Sequence, residues 1–271
     1  MKFFLKNKFI GSILLTALSY HPLVMAQSIN MNELTGSWQV KNVYIDTHQT
    51  IRPSIIVNDP NLVGRVLSFQ SDKIWGDPLD DAGCIQPELK IQPDITLNNL
   101  LALTTGAESE KALSENYLLG QQGNKKIRPF IIQCQKGMVG PEGEKIDNWL
   151  TMLNENTMLI NWDDNTLLAL QKLPQDAPAA PSFNCHNAGT STEKAICGSF
   201  DLAAWDHSVS DAFQMAISQI NHNGVDVSEK TSVLKSEQRR WLAARNSCKD
   251  DKSCIKKYMV ARVSDLVESA R

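Results

Sequence analysis

Excess positive charge, metal-ligand spacing and long apolar runs are all missing from this 271-residue chain, and each absence closes a class of function. The chain carries 27 Lys and Arg against 30 Asp and Glu. Lys2, Lys6 and Lys8 stand at its very start, so residues 27–271 hold 24 basic against 30 acidic groups, a net of −6. A protein that grips nucleic acid needs a face of unbalanced positive charge, so no nucleic-acid partner is expected. There is no CxxC and no HExxH, and His186 beside Cys185 is adjacency without ligand spacing. Neither a metal nor a cofactor is therefore expected. Beyond the first stretch, His48, His186, His207 and His222 fall in no Ser/His/Asp or Cys/His arrangement. Asp206 and His207 are neighbours on a helix and point apart, so one cannot orient the other, and the expectation is a protein that is not an enzyme. No internal repeat or low-complexity tract is present.

What is there begins with MKFFLKNKFIGSILLTALSYHPLVMAQ: three lysines, an apolar stretch from Phe9 to Leu23, and the small-x-small end Val24-Met25-Ala26. This reads as a secretory signal peptide over residues 1–26. Ser12, Thr16, Ser19 and His21 interrupt the run, which falls short of the ~20 apolar residues a membrane span needs. No stable membrane anchor is expected, and the processed chain should be periplasmic or secreted. Export changes how the cysteines read. All six follow the leader, and an even count in an oxidising compartment implies disulfides. Of the fifteen formal pairings, spacing favours Cys84 with Cys134, Cys185 with Cys197 and Cys248 with Cys254.

The Pro- and Ala-rich stretch Pro174–Ser182 divides the chain into a segment of residues 27–173 and one of residues 183–271. The expected fold class is α+β in two domains, a mainly β small barrel or sandwich followed by a disulfide-stapled helical bundle. Residues 27–181 carry a net −7 and residues 182–271 a net +1. The first segment runs through short alternating stretches, LTGSWQVKNVYID, GRVLSFQSDKIWG, PELKIQPDITL, PFIIQCQKG, NWLTMLNENTMLINW and TLLALQKL, separated by Gly, Pro, Asn and Asp clusters. Asn154-Glu155-Asn156 and Asp163-Asp164-Asn165 read as hairpin turns, and Leu97–Leu119 as a region holding a helix. Gly36-Ser37-Trp38 resembles the glycine-x-tryptophan opening of lipocalin-type barrels. Read from its chemistry, Trp38 fills the core at the end of the barrel or sandwich.

The second segment reads as helical. Thr190-Ser191-Thr192-Glu193 is a capping-box pattern. Leu202, Trp205, Val209, Ala212, Phe213, Ala216, Ile217 and Ile220 recur at helical spacing, and Asn221–Gly224 ends that helix. A helix from about Ser228 to about Cys248 carries Leu234, Gln238, Arg239, Trp241, Leu242 and Arg245, and a last one carries Ile255, Tyr258, Met259, Arg262, Val263 and Leu266. Arg245 lies one turn beyond Trp241, where its guanidinium can rest against the indole. Gln238, Arg239, Trp241 and Arg245 are the candidate binding residues, set against their use as core and core edge.

The motif order also matches a family. FNCHNAGTSTEKAICGSFDLAAWDHSVSDAF followed by LKSEQRRWLAARNSCKDDKSCIKKYMVARVSDL resembles the LprI-type lysozyme-inhibitor domain. The matching positions include Thr190, Glu193, Lys194, Ile196, Leu202, Asp206, Gln238, Arg239, Trp241, Leu242, Arg245 and Tyr258, with four cysteines. The resemblance covers about 90 residues, a third of the chain. It implies an exported protein that binds a lysozyme-like peptidoglycan hydrolase and occludes its cleft. The alternatives are an immunity protein against a delivered cell-wall hydrolase, or a non-catalytic envelope module that binds through its β segment. Lysozymes are basic, so an acidic partner would be steered to them.

Overall fold

The computed structural model describes residues 31–48, 54–79, 82–107, 110–141 and 147–271. The expected signal peptide lies outside the described residues. A short 3-10 turn, Met31–Glu33, leads into the strands β1 (Gly36–Ile45), β2 (Val66–Phe69), β3 (Lys73–Gly76), β4 (Cys84–Ile85), β5 (Glu88–Ile91) and β6 (Ile95–Thr96). Helix α1 (Leu97–Thr104) follows, then β7 (Gly106–Ala107), β8 (Glu110–Lys111), β9 (Lys126–Ile127), β10 (Pro129–Gln133), β11 (Trp149–Asn154), β12 (Thr157–Trp162) and β13 (Thr166–Lys172). The remaining helices are α2 (Ser191–Cys197), α3 (Phe200–Asn223), α4 (Val227–Asn246) and α5 (Lys252–Ser269).

Nine strands form one curled antiparallel sheet, a half-barrel, in the order β4-β3-β2-β1-β13-β12-β11-β10-β5. This is one sheet and not the two packed sheets of a sandwich. Its terminal strands, β4 and β5, are nearly consecutive in the chain. Glu88 pairs with Gln133 in β5–β10, and Ile85 bridges Lys136 in the same register. The Ile85 amide donates to the Lys136 carbonyl at 2.9 Å, and the Gln135 amide donates to the Ile85 carbonyl at 2.9 Å. Cys84–Cys134 fastens the same place covalently. Gln86 interrupts the strand with a φ of 49°, in the left-handed region.

Period-two alternation explains why several of these strands are apolar almost throughout. In β13, Leu168 and Leu170 enter one cluster with Trp38, Val40, Phe69, Phe130, Met158 and Ile160. Leu167 and Ala169 face the other way, into a second cluster with Leu97, Leu101, Tyr117, Trp149 and Leu159 beneath α1. Both faces of these strands are thus covered. Trp38 is fully buried and its Nε1–H donates to the Leu34 carbonyl at 2.8 Å. The β12–β13 turn places Asp164 and Asn165 at φ 55° and 52°, the consecutive positive angles of a tight hairpin. The helix read within Leu97–Leu119 is confined to Leu97–Thr104. Thr105 turns extended at φ −137°, and the Thr104 and Thr105 hydroxyls donate to the carbonyls of Leu100 and Leu101 four residues back.

Helices α2, α3 and α5 begin at side-chain caps, whereas α4 starts at Asp226 without one. Thr190 and Glu193 complete a reciprocal capping box on α2, Ser199 caps α3, and Asp251 accepts from Ser253 and Cys254 at the start of α5. Gly224, at φ 67°, closes α3. Ile196, Leu202, Val209, Ile255, Met259, Val263 and Leu266 bury together in one apolar cluster. Cys185–Cys197 and Cys248–Cys254 tie its ends, which with Cys84–Cys134 makes the set that spacing favours. Chain entropy values the three loops at about 4, 3 and 2 kcal/mol, the first being the 50-residue one and the last the 6-residue one. No helix among the described residues is long and apolar enough to cross a membrane.

Candidate functional site

The outer face of the sheet builds one wall of a cleft. In β3, Ile74 points inward and is fully buried, which sends Lys73 and Trp75 to the opposite face. Cross-strand register then sets Ser37 beside Ser68 and Ser68 beside Trp75. The result is a lateral row of two hydroxyls, 3.5 Å apart, ending in an indole that is 46% exposed. The Lys73 ammonium lies 6.0 Å from the centre of the Trp75 ring. Gly76 can hold its place only as glycine, because a Cβ there would come within 2.0 Å of the Val66 carbonyl oxygen.

The facing wall comes from elsewhere in the chain: Pro174 and Gln175 of the segment after β13, Phe200 and Asp201 at the start of α3, and Lys256 of α5. Together they enclose about 970 Å³. The Pro/Ala segment is held at both ends. The Leu173 amide donates to the Ser37 carbonyl at 2.8 Å, and Ser182 gives its amide and hydroxyl to Asp206 at 2.9 and 2.6 Å.

An ionic network joins the two walls. The Lys256 ammonium donates to both Asp77 carboxylate oxygens at 2.8 Å and lies 3.1 Å from Asp201. Burial draws the Asp77 carboxyl upward, but the hydrogen bonds and charge of Lys256, the Trp205 indole N–H and the Arg65 charge outweigh it and leave Asp77 below the usual carboxylate range. Asp201 goes the other way: burial raises it more than the charge and hydrogen bond of Lys256 and the charge of Arg65 lower it, and the Asp77 charge offsets part of that lowering. Burial lowers Lys256, yet its two carboxylate partners hold it above the ordinary lysine value. Beneath this network Arg65 is 2% exposed and stacks on Trp205, its guanidinium 3.4 Å from the ring centre. One of its amino groups donates to Ser208 at 3.0 Å, while Nε and Nη1 have no hydrogen-bond partner among the described residues. Burial pulls Arg65 down to about 10, with Asp201 and Asp77 opposing, so the group stays charged at neutral pH.

The residues singled out from sequence sit elsewhere, on α4. Arg245 is 4% exposed and donates to Asp206 at 3.1 Å and to the Asn246 side chain at 3.0 and 3.2 Å. Its guanidinium rests 5.2 Å from the centre of the Trp241 ring, as the one-turn spacing implies. Trp241 donates to the Tyr258 carbonyl at 3.2 Å, and Gln238 accepts from Arg262 at 2.9 Å. Gln238, Trp241 and Arg245 are thus engaged in tying α4 to α3 and α5, and Arg239 alone of the four is exposed. Sequence reading missed Trp75, Asp77 and Lys256. The alternation of KIWG is the signal that marks Trp75 as opposite in face to the buried Ile74; nothing local brings Asp77 and Lys256 together across 179 residues.

A second groove of about 350 Å³ lies between α3 and α4, where Asp226, Glu229 and Glu237 stand around Val233 and Leu234 with Lys230. Among the described residues, no group of three or more His, Cys, Asp or Glu side chains is placed to hold a metal ion. No protein-family model, curated protein or solved structure matches the chain.

Proposed function

We propose that this is an exported, non-catalytic binding protein, built as a small β barrel joined to a disulfide-stapled helical bundle, that inhibits a lysozyme-like peptidoglycan hydrolase by occluding its cleft. The observation that carries the reading is the groove between α3 and α4. Three carboxylates against one lysine surround an exposed valine there, which is the chemistry of a contact for a basic protein carrying apolar side chains at its surface. The net −7 of residues 27–181 adds a field that draws such a partner in. Rigidity supports the reading too. Asp206 gathers Ser182 and Arg245, Trp241 reaches Tyr258, and two disulfides close the helical segment, so little ordering is left to be lost on contact. The residues that carry the family resemblance serve, in this reading, as the frame behind the contact.

Lysis of a cell-wall substrate by c-type, g-type and bacterial-toxin muramidases, with and without the processed protein, tests it. Inhibition of at least one enzyme is expected, weakening as salt rises because screening shortens the reach of charge. Reversing the groove with Glu229→Lys and Glu237→Lys should weaken inhibition at least tenfold. Failure to slow any muramidase sinks the proposal; inhibition restricted to a bacterial toxin enzyme assigns the immunity role.

A further inference from the structure

We infer that the cleft between the outer face of β1–β3 and the starts of α3 and α5 binds a neutral, hydroxyl-rich sugar chain. This site is separate from the groove that carries the inhibitor reading, and it stands or falls independently of it. Three observations support the assignment. First, Trp75 leaves nearly half its surface in water inside a concavity of about 970 Å³, at the upper end of the 300–1,000 Å³ typical of small-molecule sites. The flat indole face is apolar and electron-rich, and the C–H face of a pyranose ring covers such a surface while leaving its hydroxyls free. Second, Ser37 and Ser68 continue the row from that indole, as donor-acceptor groups spaced along one line by the sheet register. Gln175 faces them with both an amide donor and a carbonyl acceptor.

Third, the charges balance. Lys73 and Lys256 line the cleft with Asp77 and Asp201. A phosphate or other anion would meet the two carboxylates and a cationic ligand the two ammonium groups. A wholly apolar ligand would strip water from all four without replacing it. A neutral polyol accepts from Lys73 and donates to the remaining lone pairs of Asp77 and Asp201, leaving Lys256 bound to both carboxylates. The barrel interior is a poor competitor for the same ligand, because Trp38, Phe69, Phe130, Met158 and Trp162 pack into its cluster.

The test titrates the disulfide-intact processed protein with a tetramer of β-1,4-linked N-acetylglucosamine and, separately, with maltotetraose. Heat of binding and the Trp75 indole N–H resonance are followed. Saturable binding of either sugar with movement of that resonance is expected. Trp75→Ala should weaken it at least tenfold, and Trp75→Phe, which keeps a smaller ring, should lose less. Trp75 is about half buried, so Trp75→Ala should lower the thermal midpoint somewhat, and below that midpoint its muramidase inhibition should equal that of the parent. Absence of saturable binding of both sugars at millimolar concentration overturns the inference, as does equal binding by the parent and the Trp75→Ala protein.

Discussion

Two arginines in this molecule lie buried on the faces of tryptophans, and their surroundings differ. Arg245, inside the helical segment, has a carboxylate partner in Asp206 at 3.1 Å and a second acceptor in Asn246. Arg65, between sheet and helices, touches its indole more closely, at 3.4 Å against 5.2 Å, yet among the described residues has one hydroxyl partner and two nitrogens, Nε and Nη1, without any. The first is a locally completed ion pair, in which each member would be costly to strand. The second is held by stacking and by the diffuse field of Asp77 and Asp201. The helical segment is therefore pinned by a completed ion pair, whereas its attachment to the sheet combines a buried stack and one hydroxyl contact with the partly exposed charges of Asp77, Asp201 and Lys256.

The sharpest way to break that contrast is Asp206→Ala. It leaves the Arg245 charge buried without its carboxylate and frees Ser182, so unfolding in urea with disulfides intact should show a loss of about 3–5 kcal/mol. Pairing Asp206→Leu with Arg245→Met should recover much of it. Arg65→Met comes next in size: it gives up the stack on Trp205 and one hydrogen bond but also removes two nitrogens that have no partner among the described residues, and a net change within about 1 kcal/mol of zero is expected. A loss as large as that of Asp206→Ala would erase the distinction between the two sites.

Acid should sharpen the comparison further. Asp77 sits below its unfolded value, so it stabilises the fold above about pH 4 and that contribution fades as pH falls through its lowered folded value. Asp201, held above its unfolded value, is a penalty when ionised and is relieved on protonation. Asp77→Asn should flatten the decline of stability between about pH 5 and 2, and Asp201→Asn should steepen it, each by less than about 1 kcal/mol because these groups are partly in water. Trp75→Phe, which keeps a ring against the sheet, should have the smallest effect of all on stability.

How much of this was legible beforehand follows the range of the interactions. The capping box at Thr190, the αL stop at Gly224, the Trp241–Arg245 stack and the hairpin at Asp164-Asn165 are encoded within a few residues, and each is found where the sequence places it. The strands were legible as short alternating stretches and the last three as a hairpin-joined meander, but neither the covering of both faces nor the order of the remaining strands was. The cleft was invisible, because it depends on Lys256 meeting Asp77, on Arg65 meeting Ser208 across 143 residues, and on a Pro-rich segment that reads as a free linker yet is tethered by Ser37 and Asp206. Composition tells that such a segment lacks secondary structure; it does not tell where the segment lies.

The join between β4 and β5 bears on how the molecule meets others. Since Ile85 spends its amide and carbonyl on Gln135 and Lys136, and Cys84–Cys134 locks that meeting, the main sheet withholds at this place the peptide groups through which foreign strands would add on. Neighbours must instead negotiate with its side chains, which favours discriminating encounters over indiscriminate polymerisation.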